Sequence, residues 1–322
     1  MILEILVFIL GMAILLGGAD ILIKGSAKLA RSIGISPLII GLTLVAFGTS
    51  FPELSVSLLA AFQHNPDISI GNVIGSNIVN IGLIIGLAAL VFPLQVAATT
   101  LLLESPFMIF SSFLLLLFGY FSFGAGISRL EGIILLFFFF IFISYIFYMA
   151  NKERKSSKLY KEYKAEYSEG KKLWKPFLMI IFGLAGVIGG AKFMVDSAIK
   201  IASALGISEG IIALTVIAVG TSLPELVTSV VAAYKKEPDI AIGNIIGSNI
   251  FNILLIVGFS ASIFPLQVSS SMMIDMLIMI IFSIAFLVFS FTKRAITKWE
   301  GFVLFAGYLA YIAFLISRNI GI

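Results

Sequence analysis

The chain has 322 residues, 60% of them hydrophobic and only 12% charged, with a mean hydropathy of +1.13. A soluble protein carries about 25% charged residues, and the apolar runs lack the period-2 alternation of a membrane barrel, so the fold class is all-α and polytopic in a membrane. With no cysteine and a single histidine, His64 in a polar turn, a disulfide framework, an iron–sulfur cluster, a thiolate zinc site and a histidine metal cluster are excluded, and the net charge of +4 sits in short loops that do not describe a nucleic-acid surface.

Polar breaks divide the chain into ten expected spans, at roughly 2–23, 38–62, 68–92, 101–124, 130–150, 177–201, 210–233, 240–264, 272–292 and 299–318. The first has no basic flank before it and no convincing small-residue cleavage site after it, so it reads as a retained span and not a signal peptide. Pro66-Asp67 and Pro238-Asp239 open spans 3 and 8, the aspartates as expected N-caps. "SRLE" at Ser128–Glu131 and "TKWE" at Thr297–Glu300 open spans 5 and 10 as capping boxes. Glu104 and Asp275 lie near the starts of spans 4 and 9, where they would complement helix N-termini. The hydrophilic stretch 151–175 is a linker, in which Tyr160, Tyr163 and Tyr167 have the spacing of a short surface helix.

A shift of 172 residues lays Gly34–Val96 on Gly206–Val268 without a gap, with 39 identities in 63 positions. Two halves of five spans must sit in opposite orientations, the inverted-repeat plan of many secondary transporters. This divides the chain into an N-terminal repeat (1–150), a cytoplasmic linker (151–175) and a C-terminal repeat (176–322). With the amino terminus outside, 17 of the 21 Lys and Arg residues fall on the cytoplasmic side, so both termini are expected to be external.

The repeats carry "VAFGTSFPELSVS" at 45–57 and "IAVGTSLPELVTS" at 217–229, each with a glutamate inside an apolar span. A carboxylate there costs roughly 3 kcal/mol or more, and such groups face a cavity or partner and mark ion pathways. Spans 2, 3, 7 and 8 hold no basic residue to pair with Glu53 or Glu225. Pro52 and Pro224 are expected to release backbone oxygens near Ala46–Thr49 and Ala218–Thr221. Thr49 and Ser50 precede Glu53 by four and three residues, which puts them on its face, and Thr221, Ser222 and Glu225 repeat the pattern. In "GNVIGSNIVN" (71–80) and "GNIIGSNIFN" (243–252), Ser76 and Asn80 share a helix face, as do Ser248 and Asn252. Gly71/Gly75 and Gly243/Gly247 are spaced for close helix packing. All these candidate ligands are oxygens, the shell that hard cations such as calcium and sodium take.

"GTSFPEL" and "GTSLPEL", each followed by GN-x-I-GSN, resemble the paired alpha repeats of the sodium/calcium exchangers in the calcium/cation antiporter superfamily, of the prokaryotic type with a short central loop. The resemblance covers nearly the whole chain. It implies a cell-membrane antiporter exchanging sodium for calcium by alternating access, not an enzyme and without a cofactor. Its partners would be the two ions and membrane lipid, and a monomer suffices. By motif position it implies Glu53 and Glu225 as central calcium ligands, with Thr49, Ser50, Thr221 and Ser222 and the carbonyls of Ala46 and Ala218 serving the calcium and flanking sodium sites. Ser76, Asn80, Ser248 and Asn252 would complete the site. Spans 1 and 6 would slide across the other eight, and here they carry "GGADILIK" and "GGAKFMVD". Asp20/Lys24 and Lys192/Asp196 read as helix-end ion pairs. Some members carry an aspartate at the last position of the second motif, where this chain has asparagine in both repeats, leaving a core charge of two carboxylates. Two other readings stay open: a calcium/proton antiporter on the same scaffold, and a cation channel.

Overall fold

The computed structural model describes residues 2–63, 65–121, 126–156, 173–205 and 220–320. In chain order the helices are α1 (Ile2–Ile33), α2 (Pro37–Thr49), α3 (Phe51–Phe62), α4 (Pro66–Val91), α5 (Thr100–Phe121), α6 (Arg129–Ser156), α7 (Trp174–Ala204), α8 (Leu223–Tyr234), α9 (Pro238–Ile263), α10 (Ser270–Lys293) and α11 (Lys298–Ile320). Among the described residues eight of these are long and apolar enough to cross a membrane, and α2 with α3 makes a ninth crossing bent by 46°. The tenth expected span is represented by α8, the counterpart of α3 at the 172-residue shift. The stretch before α8, the linker tyrosines and His64 lie outside the described residues.

Burial sorts the helices into layers. The most apolar windows of α4 and α9 are 78% and 94% buried, whereas those of α1 and α7 are 22% and 28% buried. The spans richest in serine and asparagine are therefore the centre, and the exposed faces carry side chains such as Phe137, Phe140, Phe182 and Ile281. A soluble surface would not leave such aromatics exposed in a band, and lipid takes them without cost.

Local chemistry explains where the helices begin. The Ser128 backbone N–H donates to Glu131 Oε2 at 2.6 Å while Ser128 Oγ accepts from the Glu131 N–H at 3.3 Å. Thr297 and Glu300 form the same reciprocal pair at 2.7 and 3.4 Å. Both expected capping boxes are therefore present. At α4 and α9 the N-caps are Asn65 and Glu237, with proline next. Asp67 and Asp239 lie one residue further in, so they complement the helix dipole and do not cap it. Glu104 and Asp275 also differ from expectation. Glu104 Oε1 accepts from the Tyr145 hydroxyl of α6 at 2.7 Å, and Asp275 takes Arg318 of α11 in a two-pronged ion pair at 2.9 and 3.2 Å.

The two repeats are stitched together at short extended segments that the sequence reading passed over. "FPLQV" occurs at 92–96 and 264–268. Strand β1 (Leu94–Gln95) pairs antiparallel with β2 (Ala295–Ile296) of the other repeat. Leu266 bridges Ile127 in the reverse sense, again between repeats.

The α1–α7 crossing depends on glycine. A Cβ on Gly18 would stand 2.6 Å from the Val187 backbone nitrogen, and one on Gly190 2.5 Å from that of Leu15. Asp20 pairs with Lys24 at 2.7 Å as expected and also with Lys235 before α9. Lys192 and Asp196 are both exposed, and no ion pair joins them. The glycine packing can be tested against an internal control. Gly190→Ala should destabilise by about 1–3 kcal/mol through overpacking and lower the apparent melting temperature in detergent. Gly189→Ala, whose Cβ meets no described atom within 4 Å, should leave it level or raise it. Equal melting temperatures for the two variants would contradict a close-packed crossing.

Candidate ion-binding site

Each glutamate sits where a helix restarts. Pro52 and Pro224 occupy the first turns of α3 and α8, and Ser50 and Ser222 are the residues just before them, with φ, ψ of −80°, 7° and −89°, 6°. This narrows one expectation. Within 46–49 the Ala46 carbonyl is not freed by Pro52, since it accepts the Ser50 N–H at 3.0 Å, though that oxygen keeps a second lone pair. Proline also breaks the span, so Glu53 and Glu225 lie in the first turn of a new helix. Positive ends of two half-helices thereby face two carboxylates.

Ser-x-Pro-Glu is also the spacing of a capping box, but neither serine caps its own helix. The pairs exchange instead. Ser50 Oγ donates to Glu225 Oε1 at 2.9 Å, and Ser222 Oγ donates to Glu53 Oε1 at 3.1 Å. Ser76 approaches Glu53 Oε1 at 3.5 Å and Ser248 approaches Glu225 Oε1 at 3.4 Å. Sequence spacing had placed Ser50 beside Glu53 on one face, whereas its partner is the glutamate of the opposite repeat.

Thr49 also turns away from its own glutamate. Its hydroxyl lies 3.1 Å from the Val45 carbonyl and 3.1 Å from Asn244 Oδ1. Asn244 Nδ2 in turn donates to Ser229 Oγ at 3.0 Å. The mirrored set runs from Thr221 through Asn72 Oδ1, at 3.5 Å, to Ser57 at 2.9 Å. Asn72 also donates to the Glu53 carbonyl at 3.2 Å. Asn72, Ser57 and their counterparts were missed as site residues. A signal was available, because Asn72 precedes Ser76 by four residues and shares its face.

Asn80 and Asn252 lie in widened π-helical turns, Val79–Ile85 and Phe251–Val257. Such turns are frequent at functional sites. Asn80 Nδ2 donates to Asn249 Oδ1 at 2.9 Å, and Asn252 Nδ2 donates to Asn77 Oδ1 at 3.0 Å. Of the twelve expected site residues, Ala218 lies outside the described set. The structure brings Glu53, Glu225, Ser50, Ser222, Ser76 and Ser248 into direct contact, and holds Thr49, Thr221, Asn80 and Asn252 in the surrounding amide network.

Both glutamates are 1% exposed. Among the described residues, ion pairs tie Asp20, Glu4, Glu237 and Asp275, among others, to Lys or Arg, and none reaches Glu53 or Glu225. Four buried oxygens of this centre have no hydrogen-bond donor: Glu53 Oε2, Glu225 Oε2, Asn80 Oδ1 and Asn252 Oδ1. Buried acceptors left unmatched cost about 1–3 kcal/mol each, and more when charged. Four unmatched oxygens in two symmetric pairs fit a cation with oxygen ligands.

The glycine expectation holds on one side. A Cβ on Gly243 would lie 2.7 Å from the Leu38 carbonyl, and one on Gly247 2.7 Å from that of Leu42, so α9 packs backbone to backbone on α2. Gly71 and Gly75 meet no such backbone among the described residues.

The model of the sodium/calcium exchanger protein family matches residues 3–148 and 175–317. The chain belongs to that family. It is therefore a multi-pass membrane transporter of the exchanger type, and not an enzyme. Sodium/calcium exchanger MaX1 of Methanosarcina acetivorans is 37% identical, with 96% of this chain and 97% of MaX1 covered. Inner membrane protein YrbG of Escherichia coli is 36% identical over 98% of this chain and 97% of YrbG. The sodium-calcium exchanger NCX_Mj, solved after soaking in 10 mM Na+ and zero Ca2+, is 34% identical with a TM-score of 0.80, covering 97% of this chain and 98% of that one.

The symmetry of the contacts sets a quantitative expectation. Glu53→Gln and Glu225→Gln keep volume and remove one charge each. Stripping one partner from a buried charged site costs about 3–5 kcal/mol, so calcium affinity should fall at least a hundredfold in either exchanger variant, by similar amounts. Glu104→Gln should stay near wild type. Calcium-45 transport by purified variants in proteoliposomes reads this directly, and normal exchange by a folded Glu53→Gln protein would remove that carboxylate from the site.

Proposed function

We propose that this exchanger moves calcium and sodium in opposite directions across the cell membrane, with Glu53 and Glu225 as the shared core of the ion site. The observation that carries the reading is the pair of buried carboxylates, with no Lys or Arg partner among the described residues, bound crosswise to Ser222 and Ser50 and each with one oxygen left without a donor. Two carboxylates supply −2, which one calcium neutralises. Ser76, Ser248, Asn80 and Asn252 add neutral oxygens, while Thr49, Thr221 and the carbonyls of Ala46 and Ala218 serve flanking sodium positions in the same proposal. MaX1 and NCX_Mj, related along their whole length, are named as sodium/calcium exchangers, which supports this ion pair over protons. The hydroxyls beside each glutamate point the same way, because a proton site does not need them.

Residues 1–150 and 176–322 act as inverted repeats about this site, joined by a cytoplasmic linker at 151–175. Access alternates when α1 and α7, joined by glycine contacts and the least buried of the long helices along with α6 and α11, shift across the remaining bundle. Both termini lie outside, as the basic-residue bias of the loops requires. The reading needs no cofactor and no protein partner.

Vesicles loaded with sodium and diluted into sodium-free buffer should accumulate calcium-45, and an imposed pH gradient alone should drive little. Uptake that follows the pH gradient and ignores sodium would establish the proton-coupled alternative, and conductive flux without a counter-gradient would establish a channel. Orientation has its own readout. The chain has no cysteine, so a cysteine placed at Ser157 should label with an impermeant thiol reagent only from the cytoplasmic side, and one at Asn319 only from outside. The opposite pattern would reverse the topology.

A further inference from the structure

Asn80 and Asn252 each leave an amide oxygen free in the buried centre. An amide has two nearly isosteric ends, and turned the other way each would offer an NH2 group, which repels a cation. Their orientation has a chemical origin in groups that can only accept. Asn77 Nδ2 lies 3.3 Å from the Asn249 backbone carbonyl and 3.6 Å from Met279 Sδ. Neither of those atoms can donate, so that end of Asn77 must be its NH2. Asn77 Oδ1 is then the end that faces Asn252, which must answer with its own Nδ2, at 3.0 Å. The second chain of amides repeats the logic. Asn249 Nδ2 meets Met108 Sδ at 3.5 Å, so Asn249 Oδ1 faces Asn80 and receives Asn80 Nδ2 at 2.9 Å. Asn77, Asn80, Asn249 and Asn252 are each 1% exposed and both methionines are fully buried.

We propose that Asn77 and Asn249 are positioning residues for the ion site, and that Met279, Met108 and the Asn249 carbonyl set the polarity of two amide relays that leave Asn252 and Asn80 with their oxygens free for the cation. This rests on the ion site proposed above. The relays cross the molecule, each beginning on one repeat and ending on the ligand of the other. They are also unequal. Asn77 is keyed by a carbonyl and a thioether, whereas Asn249 is keyed by a thioether alone, a weak acceptor.

The test measures the half-saturating calcium concentration and maximal rate of sodium-driven calcium-45 uptake by the full chain in proteoliposomes. Asn77→Ala should raise half-saturation about tenfold, the scale of one mismatched buried amide, with the maximal rate less affected. In an Asn252→Ala background the same change should add nothing, while in an Asn80→Ala background it should multiply. A merely structural asparagine would multiply in both backgrounds, and that result overturns the proposal. Met108→Leu conserves volume and is the variant that keeps the question answerable if the alanine proteins do not fold. It should raise half-saturation by about three- to tenfold, and more than Met279→Leu, which leaves the carbonyl key in place. Equal and negligible effects of Met108→Leu and Asn249→Ala also overturn it. If Asn80→Ala and Asn252→Ala are themselves silent while Glu53→Gln abolishes exchange, the amide relays fall and the carboxylate core stands. If Glu53→Gln is silent as well, the underlying site falls with them.

Discussion

Two carboxylates buried in the middle of a membrane bundle without a basic partner are the constraint on which the rest of this structure depends. Burying such a charge without compensation is far more costly than any single packing contact. The chain answers with hydroxyls and half-helix N-termini and keeps lysine and arginine away from the centre. Each glutamate accepts two serine hydroxyls on one oxygen and holds the other in reserve. A lysine in the same place would neutralise the site permanently. Hydroxyls stabilise the carboxylate partially, which leaves an ion something to gain on arrival and something to lose on departure.

The inverted duplication is what makes that partial compensation work. Ser50 serves Glu225 and Ser222 serves Glu53, so neither repeat completes its own carboxylate. The same exchange recurs in Thr49 with Asn244, Asn80 with Asn249 and Asn252 with Asn77. It recurs at the ends of the bundle, where the "FPLQV" segment of each repeat pairs with the other. Distances around the two halves differ by 0.1–0.2 Å for the serine and amide pairs, as 2.9 against 3.1 Å and 2.9 against 3.0 Å show. A near-symmetric site of this kind offers similar ligands toward both ends of the bundle, which suits a carrier opening to each side in turn.

Much of this was legible in the residues. Glu53 and Glu225 stood out because an apolar run offers nothing else to explain them, and the 172-residue shift related every site residue to a twin. The capping boxes at Ser128 and Thr297 were legible for a different reason, since both partners lie within one turn. What stayed hidden was always a choice of neighbour. Helical spacing puts Ser50 on the face of Glu53, but it cannot say that the opposite glutamate is nearer to its hydroxyl. Pro52 was read as freeing carbonyls near Ala46–Thr49, but spacing could not say that the Ala46 carbonyl stays bonded to the Ser50 N–H where one helix ends and the next starts. Asn77 and Asn249 were not singled out, because their partners, Met279 and Met108, come from spans far away in sequence.

The amide network also gives Asn252 a physical reason to be an amide. Its Nδ2 meets Asn77 Oδ1, an acceptor whose other end is committed to the Asn249 carbonyl and Met279. A carboxylate at 252 would set oxygen against oxygen, and Asn77 could not invert to help without pointing its own oxygen at a carbonyl. Position 252 and its surroundings are thus one unit. The neutral side chain keeps the core at two negative charges, and those charges sit on carboxylates that each accept from two serine hydroxyls. Charge is confined to the symmetric pair on α3 and α8, while α4 and α9, the most buried part of the bundle, stay neutral at the site and hold its shape.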